Sequence, residues 1–173
     1  RFINTLEHFD DILASARRHM AKIDHAVLGI APHSLRAVSA AEITAILPMC
    51  ETGPIHIHAA EQQKEVDDCL AATGLRPVEY LFETQGVNER WCLIHATHMT
   101  PAETASLAAS GAVAGLCPLT EANLGDGFFN ASAYLADHGR IGIGSDSHIR
   151  IDLAEDIRLL EYGQRLQAQR RNV

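Results

Sequence analysis

The sequence predicts an α/β fold built on a parallel sheet, and two observations support this fold class. Five apolar runs alternate with amphipathic helical patterns along the 173 residues. The runs lack the strict polar alternation of a half-exposed sheet, so both faces of each strand are expected to be buried. An open doubly wound sheet and a (β/α) barrel both satisfy this alternation.

The elements follow one another in order. The predicted strands lie within residues 25–34, 54–61, 90–99, 112–125 and 140–148. The predicted helices lie within residues 6–23, 39–52, 62–74, 76–86, 100–111, 127–139 and 152–171. Two of these helices open with a capping box, in which a hydroxyl residue is followed three residues later by a glutamate: Ser39 with Glu42, and Thr100 with Glu103. The element order therefore repeats β-α five times.

Composition excludes several classes of protein. The net charge of −8 argues against binding to nucleic acid or to an anionic membrane. No apolar run approaches the roughly 20 residues that span a bilayer, and the first residues do not resemble a signal peptide. The four cysteines are not spaced as a C-x-x-C motif, which predicts reduced thiols in a cytoplasmic protein.

Polar residues stand where four of the apolar runs end. His33, His58, His95 and Asp146 each occupy the carboxyl end of a predicted strand. Such residues converge at the top of a barrel, whereas an open sheet gathers them only near a switch point. Their placement favours the barrel.

These residue types suit metal-dependent hydrolysis. His56 and His58 are two apart on a strand and share one face, so they form either an H-x-H metal pair or core imidazoles. Glu61 follows just beyond the strand end, where a carboxylate can move protons during hydrolysis. Imidazole and carboxylate together suit zinc. Arg36 fits either a substrate carboxylate or a surface salt bridge.

The ordered set "APHSLR", "HIHAAEQ", "LIHATHM", "CPLTEANLGDG" and "GIGSDSH" resembles the amidohydrolase superfamily, and more narrowly the formimidoylglutamate deiminases of histidine breakdown. The resemblance implies a TIM-type (β/α)8 barrel of the metal-dependent hydrolase type, of which residues 1–173 cover about strands 4 to 8. The first three strands, with the H-x-H pair that supplies two metal ligands in the family, and the small β domain are absent from this sequence.

The resemblance also implies a role for each matching residue. His58 and Asp146 are expected to bind the metal, and Asp146 is also expected to act as general base. Glu61 is implied as the proton shuttle and His95 as the residue that orients hydroxide and substrate. His33 and Arg36 are expected to hold the glutamate portion of the substrate. His56 would lie one layer lower in the barrel without binding metal.

The implied reaction converts N-formimino-L-glutamate and water to N-formyl-L-glutamate and ammonia, with water activated by zinc, or by iron or another divalent ion. The implied partner is a small substrate that carries carboxylates, and the full-length enzyme is expected to be a homodimer. Two alternatives stay open. One is an aminohydrolase of the same superfamily that acts on a purine-like or pyrimidine-like heterocycle. The other is a non-catalytic α/β module whose histidines are core or loop residues.

Overall fold

A computed structural model describes residues 3–146 and 150–171. Within those residues the chain forms a four-stranded parallel sheet in the order β1-β2-β3-β4. The strands are β1 Ile55–Ala59, β2 Trp91–His95, β3 Val113–Leu116 and β4 Arg140–Ile143. The helices are α1 Leu6–Met20, α2 Ala40–Ile46, α3 Gln63–Thr73, α4 Pro77–Gln85, α5 Pro101–Ala109, α6 Pro118–Leu124, α7 Ala131–Ala136 and α8 Leu153–Ala168, with a short 3-10 helix at Leu47–Cys50.

The first predicted strand forms only isolated parallel bridges to β1. Ile30 pairs with Ile55, and Ser34 pairs with His58. Between these bridges stands Pro32, which has no N–H to donate to a ladder. The run therefore lies beside β1 where the sequence predicts a strand, but proline prevents a continuous one.

The two faces of β1 have different surroundings. Ile55, Ile57 and Ala59 are buried in the hydrophobic core. His56 and His58 lie on the opposite face, where His56 is exposed and His58 is partly buried. The strand alternation thus places both imidazoles on one face, as their spacing predicts.

Helix starts follow the predicted capping residues. The Ser39 and Thr100 side chains accept backbone N–H groups at the start of α2 and α5, and both capping boxes are complete. Helix α6 departs from the sequence prediction, which places residues 118–124 in the fourth apolar run. Proline at its first position and Gly125 just beyond its end are the sequence signals that identify it.

A buried carboxylate on α8 attaches α6 to the rest of the fold. Asp156 is 1% exposed, and its Oδ1 accepts the backbone N–H of Leu119 at 2.9 Å. This bond fixes the first turn of α6, from which Glu121 projects. Across the described residues, none of the helices is both long and apolar enough to cross a membrane.

Candidate functional site

Residues at or just beyond the carboxyl ends of the strands adopt left-handed backbone conformations that non-glycine residues rarely use. The φ angles are 51° at Ala60, 69° at His95, 49° at Ala96 and 52° at Asp146. Such conformations cost roughly 1–3 kcal/mol each and persist where the surrounding structure holds them, as at functional sites. All four lie at carboxyl ends of strands, where the sequence predicts the site.

The His58 ring is held in one tautomer. Its Nδ1 lies 2.7 Å from the carbonyl oxygen of His33. Since a carbonyl only accepts, Nδ1 carries a proton, and Nε2 is the nitrogen whose lone pair the neutral ring offers to a metal. Neutral imidazole fixed in this way is the form that binds metal ions, usually with a second partner on the other nitrogen.

His95 turns out of the strand and into the site. His95 has a left-handed φ, and the Ala96 N–H donates to the Ile94 carbonyl at 3.0 Å. Together these features form a γ-turn centred on His95. The turn brings the His95 ring alongside that of His58, with ring centroids 5.5 Å apart. The side chain of His95 is 1% exposed.

Three carboxylates surround the His95 ring. Nδ1 lies 3.2 Å from Oε1 of Glu121, while Nε2 lies 3.6 Å from Oε1 of Glu61 and 3.9 Å from Oδ2 of Asp146. Burial lowers the pKa of His95, but the hydrogen bond with Glu121 and the charges of Glu61, Glu121 and Asp146 outweigh it. The pKa of His95 is therefore raised above its ordinary value, which favours a ring that donates from both nitrogens.

Glu61 and Arg36 form a close ion pair at this edge of the sheet. Arg36 Nη2 donates to Glu61 Oε2 at 2.7 Å, and Arg36 Nε lies 3.4 Å from Ser34 Oγ and 3.9 Å from Glu65 Oε2. Glu61 is nearly buried, whereas the Arg36 side chain is 36% exposed. The guanidinium is thus oriented by protein contacts while part of it still faces solvent.

His33 stands on the other side of His58, with ring centroids 4.9 Å apart. Its Nδ1 lies 2.8 Å from Ser34 Oγ. Burial lowers the pKa of His33 below its ordinary value, and the proximity of His58 and Arg36 lowers it further. His33 is therefore neutral at neutral pH.

Cys117 also reaches this edge of the sheet. Its sulfur lies within 4.8 Å of potential ligand atoms of His95 and Asp146. Burial and the nearby carboxylates, Glu121 foremost, raise the pKa of the Cys117 thiol to about 12. The neutral thiol is accordingly the stable form in this structure.

The structure brings together the predicted site residues along one edge of the sheet. Contacts or ion-pair distances connect His33, Arg36, His58, Glu61, His95 and Asp146. Their catalytic and binding roles remain predictions. Ser147 and His148, the last residues of the "GIGSDSH" motif, lie outside the described residues.

Two buried glutamates at the site were missed from the sequence. Glu65 and Glu121 are each 4% exposed. At strand ends, Glu65 accepts the N–H groups of Ala60 and Glu61, and Glu121 accepts the N–H of Cys117. Glu65 is the third residue of α3 and Glu121 the fourth of α6. An acidic residue in a first helical turn is the one sequence signal available, and it also occurs at ordinary helix starts.

Comparison with known proteins gives a consistent result. The family model described as "Amidohydrolase family" matches residues 5–172. Formimidoylglutamate deiminase of Pseudomonas aeruginosa is 53% identical over 173 residues, which is 99% of this chain and 38% of that protein. A 5-methylthioadenosine/S-adenosylhomocysteine deaminase of Natronomonas pharaonis is 30% identical over 156 residues, 87% of this chain and 36% of that protein. The chain thus spans well under half the length of these relatives.

Solved structures share the fold. An amidohydrolase from Brucella melitensis superposes with a TM-score of 0.96 at 52% identity, over 99% of this chain and 38% of that one. An adenosine deaminase from Xanthomonas campestris, solved with bound zinc, gives a TM-score of 0.87 at 23% identity, over 98% of this chain and 40% of that one. These matches confirm the predicted fold class, a parallel α/β portion of a TIM-type barrel.

The Glu121–His95 contact makes a testable prediction about charge at the site. Glu121→Gln should lower the pKa of His95, because the substitution removes the negative charge that favours the imidazolium. NMR titration of the His95 ring in metal-free protein measures this change. The pKa of His95 is raised in the folded state, so its contact with Glu121 contributes fully to the free energy of unfolding below the unfolded-state pKa of about 6.5. This contribution is lost as the pH rises through the folded-state pKa of His95. Glu42→Gln, at an exposed capping box on α2, is the control; an unaltered His95 pKa in Glu121→Gln would contradict the assignment.

Proposed function

Because this chain belongs to the amidohydrolase family, we propose that the protein carrying it hydrolyses N-formimino-L-glutamate to N-formyl-L-glutamate and ammonia. The observation that supports this most directly is the convergence of His58, His95, Glu61 and Asp146 beside a pre-oriented arginine, Arg36. The 53% identity to a formimidoylglutamate deiminase over nearly the whole chain supports the choice of substrate.

His58 and Asp146 would hold the divalent metal, for which zinc is the first choice. The fixed Nδ1–H tautomer of His58 leaves Nε2 as a ligand, and carboxylates outnumber positive groups at this edge of the sheet. Both features fit a borderline divalent cation. When bound, such an ion lowers the pKa of water to about 7 and so supplies hydroxide at neutral pH. Structural and catalytic zinc sites use at least three protein ligands, so we expect further ligands from outside these 173 residues.

The chain's own residues would move the protons. Asp146 takes a proton from the attacking water as the new C–O bond forms at the formimino carbon. The proton held by Asp146 passes to the terminal nitrogen as the C=N bond becomes single. Glu61, a carboxylate beside Arg36, takes the second water-derived proton from the new hydroxyl and passes it to the same nitrogen, as that C–N bond breaks, the C=O bond forms and ammonia leaves. His95, with a raised pKa, donates a hydrogen bond to the charge that develops at the reacting carbon.

Arg36 and His33 would bind the glutamate portion of the substrate. A guanidinium has five N–H donors, and the Glu61 and Ser34 contacts involve only Nη2 and Nε. Partial exposure leaves Arg36 accessible to a carboxylate. The adjacent neutral His33 can add a hydrogen bond without a second positive charge.

Deamination of a heterocycle is the second candidate, and a specific observation favours it. Relatives at about 30% identity include several proteins described as 5-methylthioadenosine/S-adenosylhomocysteine deaminases. The higher identity to the formimidoylglutamate deiminase, and an arginine beside the site, favour a linear substrate with carboxylates. A non-catalytic module gives no reason for four chemically matched side chains to converge.

A substrate panel tests the proposal. The full-length, zinc-loaded protein that carries this sequence should release ammonia from N-formimino-L-glutamate with kcat/KM in the enzyme range of about 10⁴ M⁻¹s⁻¹ or more. The value of kcat/KM should be at least about a hundredfold lower for guanine, adenosine, 5-methylthioadenosine and cytosine. These compounds carry no carboxylate, so they leave the carboxylate-binding side chains of the site without a partner. Preference for a heterocycle would establish the second candidate instead.

The two histidines of β1 form a matched pair for testing metal binding. His58→Ala should lose most of the bound zinc, because it removes a ligand nitrogen. His56→Ala should keep it, since His56 lies two residues earlier and is expected one layer lower. Zinc content after dialysis, measured by elemental analysis, distinguishes the two. Equal zinc loss in both variants would make His56 a ligand and contradict the assignment.

Arg36 and Arg76 form a second matched pair. Arg36→Met should lower kcat/KM for N-formimino-L-glutamate by roughly tenfold to a hundredfold, because a charged hydrogen bond is worth roughly 1.5–3 kcal/mol. Arg76 pairs with buried Glu103 at 2.8 Å, so Arg76→Met should lower thermal stability and leave kcat/KM nearly unchanged. An unchanged kcat/KM in Arg36→Met would remove Arg36 from the site.

Two further expectations about the whole protein are proposals of the same kind. We expect a homodimer and a cytoplasmic location. The four cysteines, all within the described residues, are free thiols, which is compatible with a reducing compartment. Sedimentation of the full-length protein tests the first and cell fractionation the second.

A further inference from the structure

We propose that Glu65 is a positioning residue, which fixes the backbone of Ala60 and Glu61 so that the Glu61 carboxylate stands ready for proton transfer. The proposal rests on the function proposed above, in which Glu61 protonates the leaving nitrogen. Glu65 accepts hydrogen bonds from the backbone of Ala60 and Glu61, while its Oε2 lies 3.9 Å from Nε of Arg36, beyond hydrogen-bond length. It would act through Glu61.

The contact between Glu65 and the loop is a two-point clamp. Oε1 of Glu65 accepts the Ala60 N–H and Oε2 accepts the Glu61 N–H, both at 3.0 Å. Hydrogen bonds to an ionised carboxylate are among the stronger ones in proteins. With both oxygens engaged and the side chain 2% exposed, the carboxylate has little freedom to move.

This clamp differs from an ordinary helix cap. Helix α3 has Gln62 as its N-cap and Glu65 as its third residue, so a capping box would join Glu65 to the Gln62 N–H. Glu65 instead reaches past the helix end to the two residues before Gln62. Its contacts therefore order the loop between β1 and α3, in which Glu61 lies.

The loop needs such restraint because its backbone is strained. Ala60 has a φ of 51°, in the left-handed region that alanine rarely adopts. The Ala60 carbonyl accepts the His98 N–H at 3.0 Å, and its own N–H is bound by Glu65. Contacts on both sides of the strained residue hold a conformation that is unfavourable by itself.

The side chain of Glu61 depends on this backbone position. Its Oε2 meets Arg36 at 2.7 Å, and its Oε1 lies 3.6 Å from His95 Nε2. A misplacement of about 1 Å at a reacting group can cost about 100-fold in rate. Loss of the clamp should therefore slow proton transfer more than it weakens substrate binding.

Glu103 provides a matched control within the same chain. It is 3% exposed, accepts the Thr100 N–H at 2.7 Å and pairs with Arg76 at 2.8 Å. Glu103 resembles Glu65 in three respects: it is buried, it accepts a backbone N–H, and it contacts an arginine. It differs because it completes a normal capping box at its own helix. Glu103→Gln should cost stability without touching Glu61.

The decisive experiment is a double-mutant cycle in the full-length, zinc-loaded protein. Glu65→Gln keeps the side chain's shape but turns one acceptor into an N–H donor facing a backbone N–H. We expect kcat to fall about 10-fold to 100-fold, with KM changed less than about threefold. In a Glu61→Gln background the same substitution should reduce kcat by less than about threefold, because its effect passes through Glu61.

Glu103→Gln should lower the melting temperature at least as much as Glu65→Gln while kcat stays within about twofold. Three outcomes would overturn the proposal: a kcat near the unsubstituted value in Glu65→Gln, equal losses of kcat in both glutamine variants, or losses that multiply fully in the double variant. The last result would show that Glu65 acts independently of Glu61.

Backbone amide hydrogen exchange tests the clamp without any substrate. The Ala60 and Glu61 amides should exchange slowly in the unsubstituted protein and much faster in Glu65→Gln, while Glu103→Gln leaves them slow. Fast exchange of these two amides in the unsubstituted protein, or an unchanged exchange rate in Glu65→Gln, would refute the positioning role, whichever substrate the protein uses. Slow exchange of the Ala60 and Glu61 amides, together with no activity on N-formimino-L-glutamate, would refute the proposed function but support the positioning role. The double-mutant cycle would then be measured with the substrate of the panel that the protein does hydrolyse.

Discussion

The parallel register between β1 and β2 is the constraint on which the site depends. Ala59 pairs with His95, so the two strands end at the same level of the sheet. The chain then leaves each strand through a left-handed residue, and the Ala96 N–H donates to the Ala59 carbonyl at 3.0 Å across the gap. A shift of one residue in this pairing would reverse which face each side chain occupies and separate His58 from His95.

Charge balance is the second organising feature of the site. Glu61, Glu65, Glu121 and Asp146 surround one guanidinium and one imidazole. Buried carboxylates are costly unless paired or bound to a metal. Backbone N–H groups pair with Glu65 and Glu121, and Arg36 pairs with Glu61. Oxygens of Glu61 and of the more exposed Asp146 lie 3.6 Å and 3.9 Å from His95 Nε2. The proposed divalent cation would offset the net negative charge of these carboxylates.

The shared fold does not by itself identify the reaction. A zinc-containing adenosine deaminase at 23% identity has a closely similar backbone, and so does a guanine deaminase at 15% identity. The substrate choice depends instead on a few side chains placed on that backbone. Arg36 is the side chain that we propose for this role, since its position is set by Glu61 and Ser34 while part of its guanidinium remains exposed.

The sequence by itself determined the α/β class, the parallel order, most helix starts and the strand ends that carry the site residues, because these follow from local periodicity and capping. It also placed His56 and His58 on one face, since strand side chains alternate.

The local sequence pattern was wrong at two places. Pro32 interrupts the strand ladder predicted for residues 25–34, and residues 118–124 form a short helix that follows an apolar strand without a break in hydrophobicity. Strand alternation also puts His95 on the face of Leu93; only the left-handed turn at its own backbone, held by neighbouring strands, brings its ring to His58. The contacts of Glu65 and Glu121 were likewise decided by tertiary structure, because a first-turn glutamate has the same sequence signature whether it caps its own helix or bonds to a neighbouring loop or side chain.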